Sequence, residues 1–231
     1  MASMEGRALG ANTIPSRPLS TRRGIPFVVS APSGTGKTTV CRGLVARDPG
    51  IEFSVSHTTR AQRAGEQEGL HYHFVTHAEF QRMVSEGAFV EHAEYAGNLY
   101  GTSFAAIEAP LAGGRDLLLE VDVQGALQLR ARRADARLIF LLPPSLDELK
   151  RRLESRGTDA PEVVSLRLAL VRRELAALDA FDYAVVNEEV ERTVEALLAI
   201  VRAERAGDVA AVRAAHGRET AASRLAGVLP I

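Results

Sequence analysis

Cysteine is nearly absent: Cys41 stands alone in 231 residues. One thiol cannot close an internal disulfide, and it excludes any metal cluster built from several cysteines. Such usage fits a reducing compartment, and a cytoplasmic protein is expected. Tryptophan is missing, and tyrosine and phenylalanine are sparse at 4 and 8. No apolar run approaches the roughly 18 residues of a membrane span. Net charge is also lacking, at −1. That balance argues against a strongly basic nucleic-acid or membrane-surface protein, so neither partner is expected. The first 24 residues carry Arg7, Arg17, Arg22 and Arg23 against Glu5, with no apolar middle of a secretory signal. A Ser- and Arg-bearing, acid-poor leader fits organelle import as one reading; a disordered extension is the expectation preferred here.

What is present is an ordinary globular composition, 46% hydrophobic and 25% charged. The length suits one domain, or one domain carrying insertions, with a real core. Ile25–Ser30 is a short apolar run ending in a Pro/Gly-rich turn and reads as a buried strand. Asp116–Val121, Arg137–Leu142 and Tyr183–Val186 read the same way. Helices are predicted over Lys37–Ala46, from Thr102 as cap to about Leu111, and from the Ser145/Glu148 capping box to about Glu154. Val164, Leu168, Val171, Leu175 and Leu178 form one apolar helix face, as do Val194, Leu197, Leu198 and Val201. Apolar strands alternating with helices define an α/β fold with a parallel sheet covered on both faces.

Residues 53–101 break this rhythm. Phe53–His57 and His71–Val75 read as half-exposed strands around a polar stretch. Thr76 and Glu79 open a short helix that stops at Gly87. This is an insertion of mixed α+β character. Residues 155–162 form a second, polar interruption. After Arg205 the chain turns alanine-rich, and no role is legible there.

The strongest motif is Ala31-Pro32-Ser33-Gly34-Thr35-Gly36-Lys37-Thr38, between a buried strand and a helix. Successive backbone N–H groups in such a turn make an anion-binding concavity, strengthened by the helix N-terminus. Gly34 and Gly36 clear the approach of a phosphate. Lys37 reaches β- and γ-phosphates, and the Thr38 hydroxyl holds Mg²⁺. Only the first position departs from the G-x-x-x-x-G-K-[ST] pattern, and alanine is the smallest replacement. The loop leaves GTPases, ATPases and small-molecule kinases open. No Asn/Thr-Lys-x-Asp motif supports the first.

A second constellation is Ser54-Val-Ser-His-Thr-Thr-Arg60, followed by Arg63, Gly65-Glu66 and His71-Tyr72. Arg60 and Arg63 are able to converge on one phosphate, with hydroxyl donors from Tyr72 and Tyr100. Then come Phe89-Val-Glu-His-Ala-Glu94 and Tyr100-Gly-Thr102. A buried glutamate accepts two hydrogen bonds side by side, which matches guanine N1–H and its 2-amino group and mismatches adenine.

On these residues the chain closely resembles the bacterial guanylate kinases, from about Ile25 to Glu204. The Ala-Pro-Ser-Gly-Thr-Gly-Lys loop, Ser-His-Thr-Thr-Arg with Arg63, Tyr-Gly-Thr, Asp122-Val-Gln-Gly125 and Arg156-Gly-Thr158 carry the resemblance. It implies a guanylate kinase-like domain over 25–206, with a GMP-binding region at 53–101, a short mobile lid at 146–167 and a tail at 207–231. It implies phosphorylation of GMP by ATP with Mg²⁺, within purine nucleotide metabolism. Arg60, Arg63, Tyr72 and Tyr100 are thereby assigned to the GMP phosphate. Ser56, Glu91 and Thr102 go to guanine, with Asp122 beside them. Asn187 goes to the adenine of ATP. Arg152, Arg156 and Arg167 become lid arginines that offset charge on the transferring group. Glu120 stands where the family commonly has Asp, and Gln62 and Ala64 where relatives often have proline.

Two rival readings are a kinase for another small phosphorylated acceptor, which would not need Glu91 and Ser56, and a protein-binding module of guanylate-kinase type, which would not need Lys37 and Thr38. A zinc site on His71, His73 and His77 is disfavoured, because His71 and His73 then share an outer face opposite Tyr72. His57 and His92 read as packing groups, and Cys41 as a small buried residue.

Overall fold

The computed structural model describes residues 22–95, 97–154, 170–171, 173–220 and 223–224, with the side chains of residues 95, 152 and 153 outside that description. Along the chain run β1 (Pro26–Ser30), α1 (Lys37–Arg47), β2 (Ile51–Phe53), β3 (His57–Thr58), β4 (His73–Phe74), α2 (His77–Ser85), β5 (Phe89–Tyr95), β6 (Asn98–Ser103), α3 (Phe104–Ala112), β7 (Asp116–Glu120), α4 (Val123–Arg132), β8 (Arg137–Leu142), α5 (Leu146–Glu154), β9 (Tyr183–Val186), α6 (Val190–Ala206) and α7 (Ala210–His216).

The core is a five-stranded sheet in the order β2-β7-β1-β8-β9, with every pairing parallel. Strand side chains alternate faces. Phe27 and Val29 therefore pack with Val40 and Leu44 of α1 and Val194, Leu197 and Val201 of α6. Val28 packs on the other face with Ile107 and Leu111 of α3 and Ala126 and Leu129 of α4. Both layers are apolar, which is why these strands read as continuous hydrophobic runs. Val171, Leu175 and Leu178 of the expected helix face are buried in the second layer; Val164 and Leu168 lie outside the described residues.

One buried acid ties the layers together. Asp116, at the start of β7, is fully buried. It accepts from Ile25 N at 2.7 Å, from Arg22 at 2.8 Å and from Arg205 Nε at 2.5 Å. Arg205 also donates to Asp48 at 2.5 Å, beyond the end of α1. Residues 22–24 are thus held on the core.

A second sheet, in the order β4-β3-β6-β5, makes up the insertion. It corrects the expectation in three ways. Phe53 belongs to β2 of the core, not to the insertion. The expected strands shorten to His57–Thr58 and His73–Phe74. The long hairpin β5–β6, unforeseen, is the backbone of the insertion. Its alternation is broken where Phe89 pairs with Ser103 and Glu91 with Thr102, leaving Val90 as an extra residue on β5. The helix after this hairpin is capped by Ser103, whose hydroxyl accepts from Ala106 N, and not by Thr102. The caps at Thr76 and Ser145 stand as expected. β5 is fastened to the core by α4. Gln128 exchanges hydrogen bonds with the His92 backbone at 3.2 and 3.0 Å, and Arg132 donates to Phe89 O and Val90 O.

Beyond Arg205 the chain forms α7, then Gly217 bridges to Tyr183 on the outer strand β9. This contact covers part of an otherwise open sheet edge. Among the described residues no helix is long and apolar enough to cross a membrane.

Removing Arg205 leaves buried Asp116 with Arg22 as its remaining cation and takes the arginine from Asp48. Arg205→Ala is expected to lower stability by roughly 2 kcal/mol, less than the penalty for a buried charge left wholly unpaired. Urea unfolding measures it, and a loss below about 1 kcal/mol, the worth of a surface pair, would contradict this account.

Candidate active site

The loop between β1 and α1 takes the conformation that its glycines permit. Gly34 and Gly36 have φ of 90° and 91°, a region closed to most side chains. Gly36 is also the N-cap of α1, so the first N–H groups of that helix face the concavity. Ala31 is buried among the residues packed on α1, so its methyl group points into the core.

Three consecutive residues at the end of β7 face this loop. Glu120 Oε1 accepts from Thr38 Oγ1 at 2.5 Å. Val121 O accepts from Lys37 Nζ at 2.7 Å. Asp122 caps α4, accepting from Gly125 N at 2.7 Å, and keeps an exposed carboxylate. The reach of Glu120 puts its oxygen directly on the threonine hydroxyl. A hydroxyl beside a carboxylate is a hard oxygen pair suited to Mg²⁺, which takes few protein ligands and leaves the rest to phosphate and water. Among the described residues no group of three or more His, Cys, Asp or Glu is placed to hold a metal.

A second polar chain runs from half-buried Ser56, between β2 and β3, to buried Thr102 and Glu91 on the hairpin. Thr102 Oγ1 donates to Glu91 Oε1 at 2.6 Å, and Ser56 Oγ lies 3.0 Å from Thr102 Oγ1. Thr102 has a single hydroxyl proton, so Ser56 must be the donor to it. Glu91 is 6% exposed. Burial pushes its carboxyl above the usual range, with a smaller push from Asp122, while the Thr102 hydrogen bond opposes both. The bulge at Val90 turns Glu91 onto the face where Thr102 meets it.

Arg60 is half-buried and held as a fork. It donates to both oxygens of Glu66, at 2.7 and 3.1 Å, and its guanidinium lies 5.5 Å from the Tyr72 ring centre. Tyr72 and Tyr100 meet edge to face at 6.0 Å. Glu66 also accepts from Arg63 N at 2.8 Å. With Arg60 as the larger influence, the Glu66 carboxyl is pulled down to about 2. Glu66 therefore positions the arginine that the sequence reading assigned to a phosphate.

Two further roles were not legible. Asn187 is 3% exposed. Its amide donates to Thr35 O at 2.6 Å, and its carbonyl accepts from Thr193 Oγ1 at 2.9 Å, so it braces the phosphate loop from beneath. Glu174 is half-buried within electrostatic reach of Lys37 and Asp122, and burial pushes it up to about 7. It belongs to no motif, which is why the sequence did not point to it. Arg156 and Arg167 lie outside the described residues, as does the side chain of Arg152. His71 Nδ1 accepts from Gln67 N and His73 Nδ1 pairs with Glu68, while His57 packs against His73 and Phe89.

A parallel sheet with a phosphate loop at the end of its central strand, facing a second polar site, defines the class of P-loop phosphotransferases. The family model for guanylate kinase matches residues 23–204. A guanylate kinase of Syntrophotalea carbinolica is 50% identical over 183 residues, covering 79% of this chain and 87% of its own. One of Thiobacillus denitrificans is 47% identical over 182 residues, with the same coverage. The crystal structure of the guanylate kinase from Anaplasma phagocytophilum superposes with a TM-score of 0.64 at 38% identity, covering 79% of this chain and 87% of that one. The chain belongs to the guanylate kinase family.

Asn187→Ala strands the Thr35 carbonyl, while the Thr193 hydroxyl keeps Glu189 O as an acceptor. A stability loss of about 1–3 kcal/mol is expected, together with weaker binding of nucleoside triphosphate. Calorimetric unfolding and titration check both, and unchanged triphosphate affinity would remove the bracing role.

Proposed function

We propose that this enzyme transfers the γ-phosphoryl group of ATP to the phosphate of GMP, giving ADP and GDP. The observation that carries this reading is the Ser56–Thr102–Glu91 chain, buried at Thr102 and Glu91, together with a complete phosphate loop. Glu91 offers carboxylate lone pairs to guanine N1–H and the 2-amino group, while the Thr102 hydroxyl keeps the carboxylate in place. Ser56 and Asp122 complete that end. Arg60, fixed by Glu66, grips the GMP phosphate with Arg63, Tyr72 and Tyr100. Two anions that would repel are thereby held in attack geometry.

On the donor side, residues 31–38 cradle the triphosphate. The Lys37 ammonium keeps two N–H groups beyond its bond to Val121 O for the β- and γ-phosphates. Thr38 and Glu120 would hold Mg²⁺, which neutralises triphosphate charge when bound. A GMP phosphate oxygen attacks the γ-phosphorus; the bond to the bridging oxygen breaks, and ADP leaves with that electron pair. No covalent intermediate on the protein is required, so catalysis is positioning and electrostatics. Arg152, Arg156 and Arg167 supply further positive charge from a lid at 146–167. Asn187 serves the ATP side through the loop that it braces. We assign residues 25–206 to the catalytic unit and 53–101 to acceptor binding. Its place is the cytoplasm, its partners are small nucleotides rather than nucleic acid or membrane, and Cys41, buried and with its thiol pushed up, stays reduced.

A coupled ADP-release assay across GMP, AMP, CMP, UMP and dTMP tests the reading. GMP is expected to lead AMP by about a thousandfold or more, because mismatched buried polar groups go unpaired. Lys37→Ala should lose about two or more decades of turnover at unchanged stability. A flat acceptor profile would refute the assignment.

Replacing Glu91 by Gln puts a donor against one guanine donor. The cost is expected at roughly 2–4 kcal/mol, or about 30- to 1000-fold in kcat/KM for GMP. Inosine monophosphate lacks the 2-amino group and should lose less. Because burial raises the Glu91 pKa, its charged form is complete only above that raised value. The preference for GMP over inosine monophosphate should therefore fall as pH drops through it, and stay flat in Glu91→Gln. Equal losses for both acceptors would contradict guanine reading.

A further inference from the structure

We propose that Gly125 sets the reach of Glu91, and so the preference for guanine; this role rests on the reading of Glu91 given above. Gly125 lies in the first turn of α4 and is buried. Glycine is a poor helix former, so a helical glycine calls for a local reason. Its backbone does not supply one, since Gly125 is not among the glycines with positive φ. The reason is space. A Cβ at this position would stand 2.9 Å from Glu91 Oε2, 3.2 Å from Val121 Cβ and 3.3 Å from Asp122 Oδ1. The nearest of these is the far end of a flexible side chain, so it is the carboxylate that must move.

The frame around it leaves the carboxylate little choice. Oε1 is pinned by Thr102 at 2.6 Å. The strand cannot slide away from α4, because Gln128 and Arg132 fasten the β5 backbone to that helix. A methyl group at 125 therefore acts by rotating the Glu91 side chain, at the expense of the Thr102 contact. The Gly125 N–H meanwhile holds Asp122 Oδ1 at 2.7 Å, and any residue except proline keeps that bond. One position thus serves two acids by separate means, a retained N–H for Asp122 and a missing side chain for Glu91. Gly125→Ala keeps the first and falls hardest on the second, with Val121 and Asp122 asked to give only a few tenths of an ångström. Gly125 is a positioning residue, with no contact to the reacting phosphates.

The test is a cycle of Gly125→Ala, Glu91→Ala and the double variant in the full chain, with Glu91→Gln alongside. The readouts are kcat and KM for GMP, inosine monophosphate and ATP. Gly125→Ala is expected to lower kcat/KM for GMP by about 10- to 100-fold, mostly through KM, as a misplacement near 1 Å does. The loss for inosine monophosphate is smaller, and KM for ATP is unchanged. In the Glu91→Ala background, where no carboxylate is left to displace, adding Gly125→Ala changes kcat/KM by less than about threefold; such non-additivity marks two residues in contact. Additive losses overturn the proposal. So does a Gly125→Ala enzyme that keeps the wild-type ratio of GMP to inosine monophosphate while Glu91→Gln loses it; the guanine reading then stands and only the role of Gly125 falls. If Glu91→Gln itself leaves that ratio unchanged, the reading of Glu91 fails and this role fails with it. Should Gly125→Ala not fold, the double variant decides: recovery of folding places the conflict at Glu91 and supports the proposal, and continued failure places it at Val121 and overturns it.

Discussion

The parallel pairing of β1 with β7 is the constraint on which the site depends. Val29 stands opposite Glu120, and Val121 N bonds to Val29 O. That register brings the phosphate loop, leaving the end of β1, beside the three residues that leave β7. Glu120 then meets Thr38, Val121 meets Lys37, and Asp122 opens the helix that carries Gly125. A slip of one residue would turn every β7 side chain to the opposite face. It would part Glu120 from Thr38 and place charge against the core. The buried Asp116 secures the far end of the same strand, so the register is held at both ends.

Charge in the site is sorted by burial. Glu91 and Glu174 are acids whose pKa is raised by desolvation, Glu91 with Asp122 nearby and Glu174 between Lys37 and Asp122. Glu66 is an acid driven the other way by the arginine it clamps. On the proposed reading Glu91 meets the neutral base and Glu66 steadies the arginine that meets the phosphate, so one residue type serves in opposite surroundings.

The insertion gains its precision from attachment rather than from size. Its strands β3 and β4 are two residues long, and such short pairings hold little alone. The hairpin β5–β6 is longer, and α4 grips it through Gln128 and Arg132. Stacking of Phe80 on Phe89, with ring centres 4.5 Å apart, brings in the short helix α2. Glu91 and Thr102 sit on this anchored hairpin, while Arg60, Glu66 and Tyr72 sit on the irregular stretch between β3 and β4. The proposed base reader and the proposed phosphate grip thus have different supports.

Local chemistry was enough for the parts of the molecule that are contiguous in the chain. Residues 31–38 carry their own glycines, lysine and threonine, so the phosphate loop was readable without any partner. Arg137–Leu142 and Tyr183–Val186 were readable because both faces are buried and no alternation confuses the run. The hairpin β5–β6 was hidden by the extra residue at Val90, which breaks the period of two, and by polar Glu91 and Thr102 on its inner face. Thr102 and Ser103 are adjacent hydroxyls with equal capping chemistry. Only the cross-strand bond of Thr102 to Glu91 leaves Ser103 for the helix. Glu66, Glu174, Asn187 and Gly125 acquire their roles from residues 6 to 152 positions away, across contacts that tertiary packing alone creates. A sequence specifies which groups can bond; where several partners are chemically equivalent, the fold chooses by deciding which of them come within reach.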